Sequence, residues 1–288
     1  MVAPAVALSL VRALSPLPEP RSGVAVAPFG SHVVVGGGLS PAGVSTSTVF
    51  LVDASGGPSR VGTPLPGPVH DAAATAVAGR LLLFGGGQFE GSDRIVSVAP
   101  GAPHLIGTLP QPLSDLTAVT IGNTGYVVGG WNGSSTNPAV YAVQPGGGVS
   151  TVGRLPLGVR YPAVTALGGR VIVAGGEMTS GNPTRRAWSF DPATGQVTRL
   201  PDLPAATDHT AGATLNGRVY VLGGLRDGVF TRAILSWAPG ETRWRASGEL
   251  PQALADLGAA PVDGGIVVVG GREPAGRIAS VGLLKPRP

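Results

Sequence analysis

Six apolar runs in this chain end in paired glycines, and the pairs recur at steps of 44–49 residues. They are Gly36-Gly37 after Val33-Val34-Val35, Gly85-Gly86 after Leu81 to Phe84, and Gly129-Gly130 after Tyr126-Val127-Val128. Then come Gly175-Gly176 after Val171 to Ala174, Gly223-Gly224 after Arg218 to Leu222, and Gly270-Gly271 after Ile266 to Val269. A Leu-Pro mark keeps the same phase: Leu17-Pro18, Leu65-Pro66, Leu109-Pro110, Leu155-Pro156, Leu203-Pro204 and Leu250-Pro251. A fixed period of this length is the signature of a repeat architecture, in which each unit buries its faces only against its neighbours. Each period has room for about four short strands.

The strands themselves support stacking. Ile266-Val267-Val268-Val269 is apolar on both faces, as a strand sandwiched between neighbours must be. Hydrophobic residues make up 43% of the chain and charged residues 12%, while 47 glycines and 28 prolines supply tight turns. The expected class is all-β.

The unit of apolar strand, Gly-Gly, aromatic strand, turn and strand ending in Leu-Pro resembles the kelch repeat, found among bacterial kelch-like proteins. The fifth unit carries the resemblance best, with Tyr220, Gly223-Gly224, Trp237, Trp244 and Leu250-Pro251; the fourth adds Trp188-Ser189-Phe190-Asp191-Pro192. The other units keep the glycines and lose most aromatics. The resemblance implies a six-bladed β-propeller of four-stranded antiparallel blades, one domain over residues 1–288, expected as a monomer. The sixth unit ends early, after a strand from Arg277 to Leu284, and a surplus strand, Ala7 to Ser15, precedes the first Leu-Pro. The N-terminal strand is therefore expected to complete the last blade, formed by about residues 252–284 plus 6–16, leaving no half-built edge.

Several functions are argued against. No run of eighteen apolar residues occurs, so no membrane span is expected. Met1 to Leu10 is apolar but lacks a basic leader and is followed by Arg12 and Pro16, so no signal peptide is read. The compartment stays open between the cytoplasm and an exported domain whose leader has been removed. The isoelectric point near 10.1 suggests nucleic acid, but the net charge is only +4 and the arginines are scattered, so no nucleic-acid partner is expected. There is no cysteine, which excludes disulfides, thiolate metal sites and the cysteine–tyrosine cofactor of the kelch-type copper radical oxidases. No metal-ligand spacing and no cofactor fingerprint appears, and none of either is assigned.

Site residues come from register. Fourteen residues before the glycine pairs stand Ser22, Asp71, Asp115, Tyr161, His209 and Asp256; one residue earlier stand Arg21, His70, Ser114, Arg160, Asp208 and Ala255. In propellers these loops share one face with those after the glycines, which hold Gln88-Phe89-Glu90, Trp131, Glu177, Arg226 and Arg272-Glu273. Two readings stand. Each Asp accepts backbone N–H bonds at a strand start, or the belt is a mixed-charge pocket. In the second, Arg21, Asp71, Asp115, Trp131, Arg160, Tyr161, Glu177, His209, Arg226 and Asp256 contact a ligand, with arginine suited to a carboxylate. Phe89, Trp131 and Phe230 either offer stacking surfaces or fold back over their loops.

The function expected is a non-catalytic recognition module that binds a protein segment, a peptide or a small anionic ligand at the channel mouth. The kelch resemblance also implies an alternative, a carbohydrate-acting enzyme like the kelch-type sialic-acid epimerases, with His209, Glu177 or Asp256 as acid or base and Arg160 as substrate clamp. A structural repeat protein without ligand is the third reading.

Overall fold

A computed structural model describes residues 7–87 and 91–287, and among these every regular element is a strand. Among the described residues no helix is long and apolar enough to cross a membrane. The strands follow one another as antiparallel groups of four. The fourth repeat unit is typical: Ala163–Leu167 pairs with Arg170–Ala174, then Ala187–Phe190, then Val197–Leu200. Two-residue turns join the first pair of strands in each unit, as in Asn216-Gly217, where both residues have positive φ and the turn twist matches the strands.

The second strands, such as Arg218–Leu222 and Gly265–Val269, are buried throughout. Their side chains enter apolar clusters that lie between units. Ile172, Ala174 and Ala187 meet Val219, Val221, Leu235, Trp237 and Trp244 across the fourth and fifth units. Similar clusters join the other consecutive units, and one joins Val267, Val269 and Val281 at the end of the chain to Val33, Val35 and Phe50 near its start. The leucine of every Leu-Pro mark is buried in these seams. At the end of the second unit the expected break at Leu109-Pro110 is absent: one strand, His104–Ile121, runs through it and links two groups of four.

Leu8–Leu14 lies antiparallel beside Val281–Pro286, with Leu8 opposite Pro286 and Leu14 opposite Val281. Leu8 also meets Gly248 of the fifth unit through a parallel bridge.

The glycine pairs have a common cause. In the second to sixth units both glycines of the pair take positive φ, and the second donates its N–H to a carbonyl of the next unit: Gly86 to Leu113 O, Gly130 to Val159 O, Gly176 to Thr207 O and Gly224 to Leu254 O, at 2.7–2.9 Å. The last, Gly271, returns to Arg21 O at 2.8 Å. A Cβ on the first glycine would run into that same carbonyl, at 2.6 Å for Gly129 and Gly270.

In the first unit this identifies Gly37-Gly38, not Gly36-Gly37, as the pair: Gly38 donates to Val69 O, and Gly36 is extended, paired with Ala25 and Val49. Three consecutive glycines hid the register by one residue. The residue fourteen before the pair is therefore Gly23 rather than Ser22.

Candidate functional site

The corrected register residues are Gly23, Asp71, Asp115, Tyr161, His209 and Asp256, and all six adopt left-handed backbone with φ between 49° and 60°. That conformation explains the residue types at five positions: glycine, aspartate and histidine tolerate it better than most side chains do. Tyr161 is the exception. Five of the six steps round the ring are backbone hydrogen bonds of 2.8–3.1 Å: Asp71 N to Gly23 O, Asp115 N to Asp71 O, Tyr161 N to Asp115 O, Asp256 N to His209 O, and Gly23 N to Asp256 O. The backbone makes these bonds, so the carboxylates are not spent on capping strand starts.

The side chains instead line one cavity of about 490 Å³, whose walls below the polar ring come from first-strand residues such as Ala73, Thr75, Ala118, Val164, Gly212 and Pro261. Tyr161 stacks on His209 with ring centroids 3.9 Å apart and extends its hydroxyl to Asp71 Oδ2 at 3.4 Å. A Cβ on Gly23 would collide with Asp71 Oδ1, so the missing side chain makes room for that carboxyl. His209 Nε2 lies 3.9 Å from Asp256 Oδ1, and its Nδ1 lies 3.1 Å from Asp208 Oδ1.

Around this ring stands a second tier. The residue before each ring member bridges to the residue after the glycine pair: Ser114 to Trp131, Arg160 to Glu177, Asp208 to Leu225, and Ala255 to Arg272. Arg160 is held by Glu177 and, at 3.4 Å, by Asp115. Arg272 is held by Asp256. The aromatics turn inward on these cations, with Trp131 4.9 Å from Arg160 and Phe230 5.1 Å from Arg272.

Of the expected site residues, Asp71, Asp115, Tyr161, His209 and Asp256 line the cavity, with Arg160, Glu177 and Trp131 in the tier behind them. Arg226 pairs with Thr207 on the short strand Leu225–Arg226 and does not line the cavity. Arg21 is a correction. With the first unit shifted by one, it occupies the slot of Val69, Leu113, Val159 and Leu254, and it is 2% exposed. Its guanidinium bonds Glu19 and the Pro20 carbonyl over the Phe50 ring, and it does not line the cavity. Gln88-Phe89-Glu90 lie outside the described residues. Arg272 and Asp208 complete the mouth; their signal was their register, directly after Gly271 and directly before His209.

Crowding of carboxyls sets the protonation. Burial, with the charges of Asp256 and Asp115, pushes the Asp71 carboxyl up to about 8. Burial raises Asp115 as well. Burial opposes charge on His209, but contact with Asp208 and the charge of Asp256 outweigh it and raise the imidazole. At neutral pH Asp71 is therefore a neutral hydrogen-bond donor among acceptors. The unfolded chain releases that proton near pH 3.9 (roughly). Folding then binds a proton from there up to about 8, and the stability it brings, full below the unfolded value, is lost as pH rises through this window. Asn mimics the neutral acid and tolerates left-handed backbone. Asp71→Asn is expected to melt with wild type near pH 4 and above it at pH 8, by about 2–4 °C for each kcal/mol relieved. A melting difference constant across this range excludes the protonated Asp71.

Comparison with known proteins places the chain. A family model described as Kelch motif matches residues 159–204. Kelch-like protein 35 of Mus musculus is 33% identical over 149 residues, which is 50% of this chain and 25% of that protein. Kelch repeat protein M-T8 of Myxoma virus (strain Lausanne) is 32% identical over 100 residues, 34% of this chain and 19% of that protein. The chain thus spans a quarter or less of the curated relatives it matches. The solved structure of YjhT superposes with a TM-score of 0.83 over 95% of this chain and 97% of that chain, at 17% identity, a likeness of fold.

Proposed function

The chain being a kelch-repeat protein, we propose that it is a single six-bladed propeller, closed by Leu8–Leu14 as the outer strand of its last blade, and that it works as a recognition module through the channel mouth. One observation carries this reading: side chains from five separate units converge on one cavity of about 490 Å³. Five backbone hydrogen bonds between consecutive ring members hold them, so little ordering is left for the binding step. The ligand is a protein segment or small molecule that offers hydroxyl, amide or ammonium groups. A carboxylate ligand is disfavoured, because Arg160 and Arg272 already serve Glu177, Asp115 and Asp256.

A panel of peptides and small polyols, screened by ligand-observed NMR against the full chain, tests this. Binders are expected, and Asp115→Asn and Tyr161→Phe are expected to weaken them at least tenfold with the melting temperature within a few degrees. Binders indifferent to both substitutions put recognition elsewhere on the surface.

The neutral Asp71 favours a second reading. An acid protonated at pH 7 among other carboxyls, in a cavity, is the equipment of general acid–base chemistry. A carbohydrate-acting enzyme then lies within the same mouth. Turnover of a neutral or amino sugar that Asp71→Asn abolishes while binding persists decides for it.

A further inference from the structure

One cluster at the mouth combines donors that neither reading takes together. Glu177, Asp208 and His209 come from two adjacent units, and one ligand atom from each lies within 4.8 Å of the other two. Asp208 is 6% exposed, yet its Oδ1 has no hydrogen-bond partner, and neither has His209 Nδ1, although the two are 3.1 Å apart. The contact is close but not aligned for a hydrogen bond. Buried polar atoms left unpaired ask for an explanation, and here two of them face one another.

Their separation supplies one. Ligand bonds of about 2.0–2.2 Å put neighbouring donors of a single metal ion roughly 3 Å apart. Arg160 bonds Oε1 of Glu177 through two nitrogens, so Oε2 is the oxygen available as third donor. We propose that Glu177, Asp208 and His209 form a site for a first-row divalent cation. One imidazole nitrogen with two carboxylate oxygens suits Zn²⁺ or Mn²⁺ better than Ca²⁺, which takes six or more oxygens. Three protein ligands leave coordination positions open for water or a ligand's oxygen. The site is independent of which organic ligand the mouth takes.

The test is titration of the purified full chain with ZnCl₂, and separately MnCl₂, by calorimetry. One ion per chain is expected to bind. Asp208→Asn and His209→Gln are expected to weaken it at least tenfold, whereas replacing His32 and His104, on other strands, leaves it unchanged. No saturable binding, or binding that follows His32 or His104 and ignores Asp208, overturns the site. A readout on the wild type guards against variants that fail to fold. The imidazole resonances of His209 are expected to shift with Zn²⁺ while those of His32 stay in place, and an unmoved His209 overturns the proposal.

Discussion

Deleting Met1–Ser15 is expected to remove the cooperative melting transition at physiological temperature, or to lower its midpoint by more than 15 °C. The strand Leu8–Leu14 carries two fully or nearly buried leucines into two different seams. Leu8 packs with Tyr220, Leu222, Ile266 and Leu284, and Leu14 with Val33, Val267 and Val281. Each leucine contributes about 1.5–3 kcal/mol of burial, and each ladder bond to Val281–Pro286 about 1 kcal/mol more. Together these approach the roughly 5–15 kcal/mol that keeps a whole domain folded. Loss of the strand also bares an edge that other chains can pair with. Circular dichroism melts of the two chains check this, and superimposable curves would mean that the N-terminal strand is ornamental.

Gly223→Ala is expected to cost about 3–5 kcal/mol, in the range reserved for backbone strain combined with a steric clash. The new Cβ would sit 2.6 Å from Leu254 O and 3.0 Å from Leu250 Cδ1, on a residue with φ of +58°. Leu254 O cannot retreat without breaking its bond from Gly224 N, at 2.7 Å, which ties the fifth unit to the sixth. Gly168 provides the control. It has the same φ of +58° and nothing within 4 Å of its added Cβ. Gly168→Ala therefore reports the left-handed backbone alone, about 1–2 kcal/mol. Equal losses in urea denaturation of the two variants would show that the glycine pairs serve only backbone conformation and not the approach of the next unit.

These two results probe features that were legible in the amino-acid order. The glycine pairs, the Leu-Pro marks and the doubly apolar strands each report a local condition: a positive φ, a buried leucine at a seam, a strand covered on both faces. Such conditions repeat wherever the unit repeats, so a single chain displays them six times. The surplus strand at the start and the short last unit were visible for the same reason, as gaps in a count. The ring of Asp71, Asp115, Tyr161, His209 and Asp256 followed from register alone.

What register could not carry was the choice of partner. Arg21 and Arg160 appear equivalent along the chain, yet one lies buried over Phe50 and the other bridges Glu177 and Asp115. The run Gly36-Gly37-Gly38 admits two alignments, and only the bond from Gly38 to Val69 O decides between them. The same holds for Arg272 on Asp256 and for the approach of Glu177 to Asp208 and His209. Period and glycine placement are set within one unit by backbone sterics and burial, and so are written in the sequence. Charge pairing at the mouth depends on which side chains radial packing brings face to face from different units, a distance that exists only once the ring has closed.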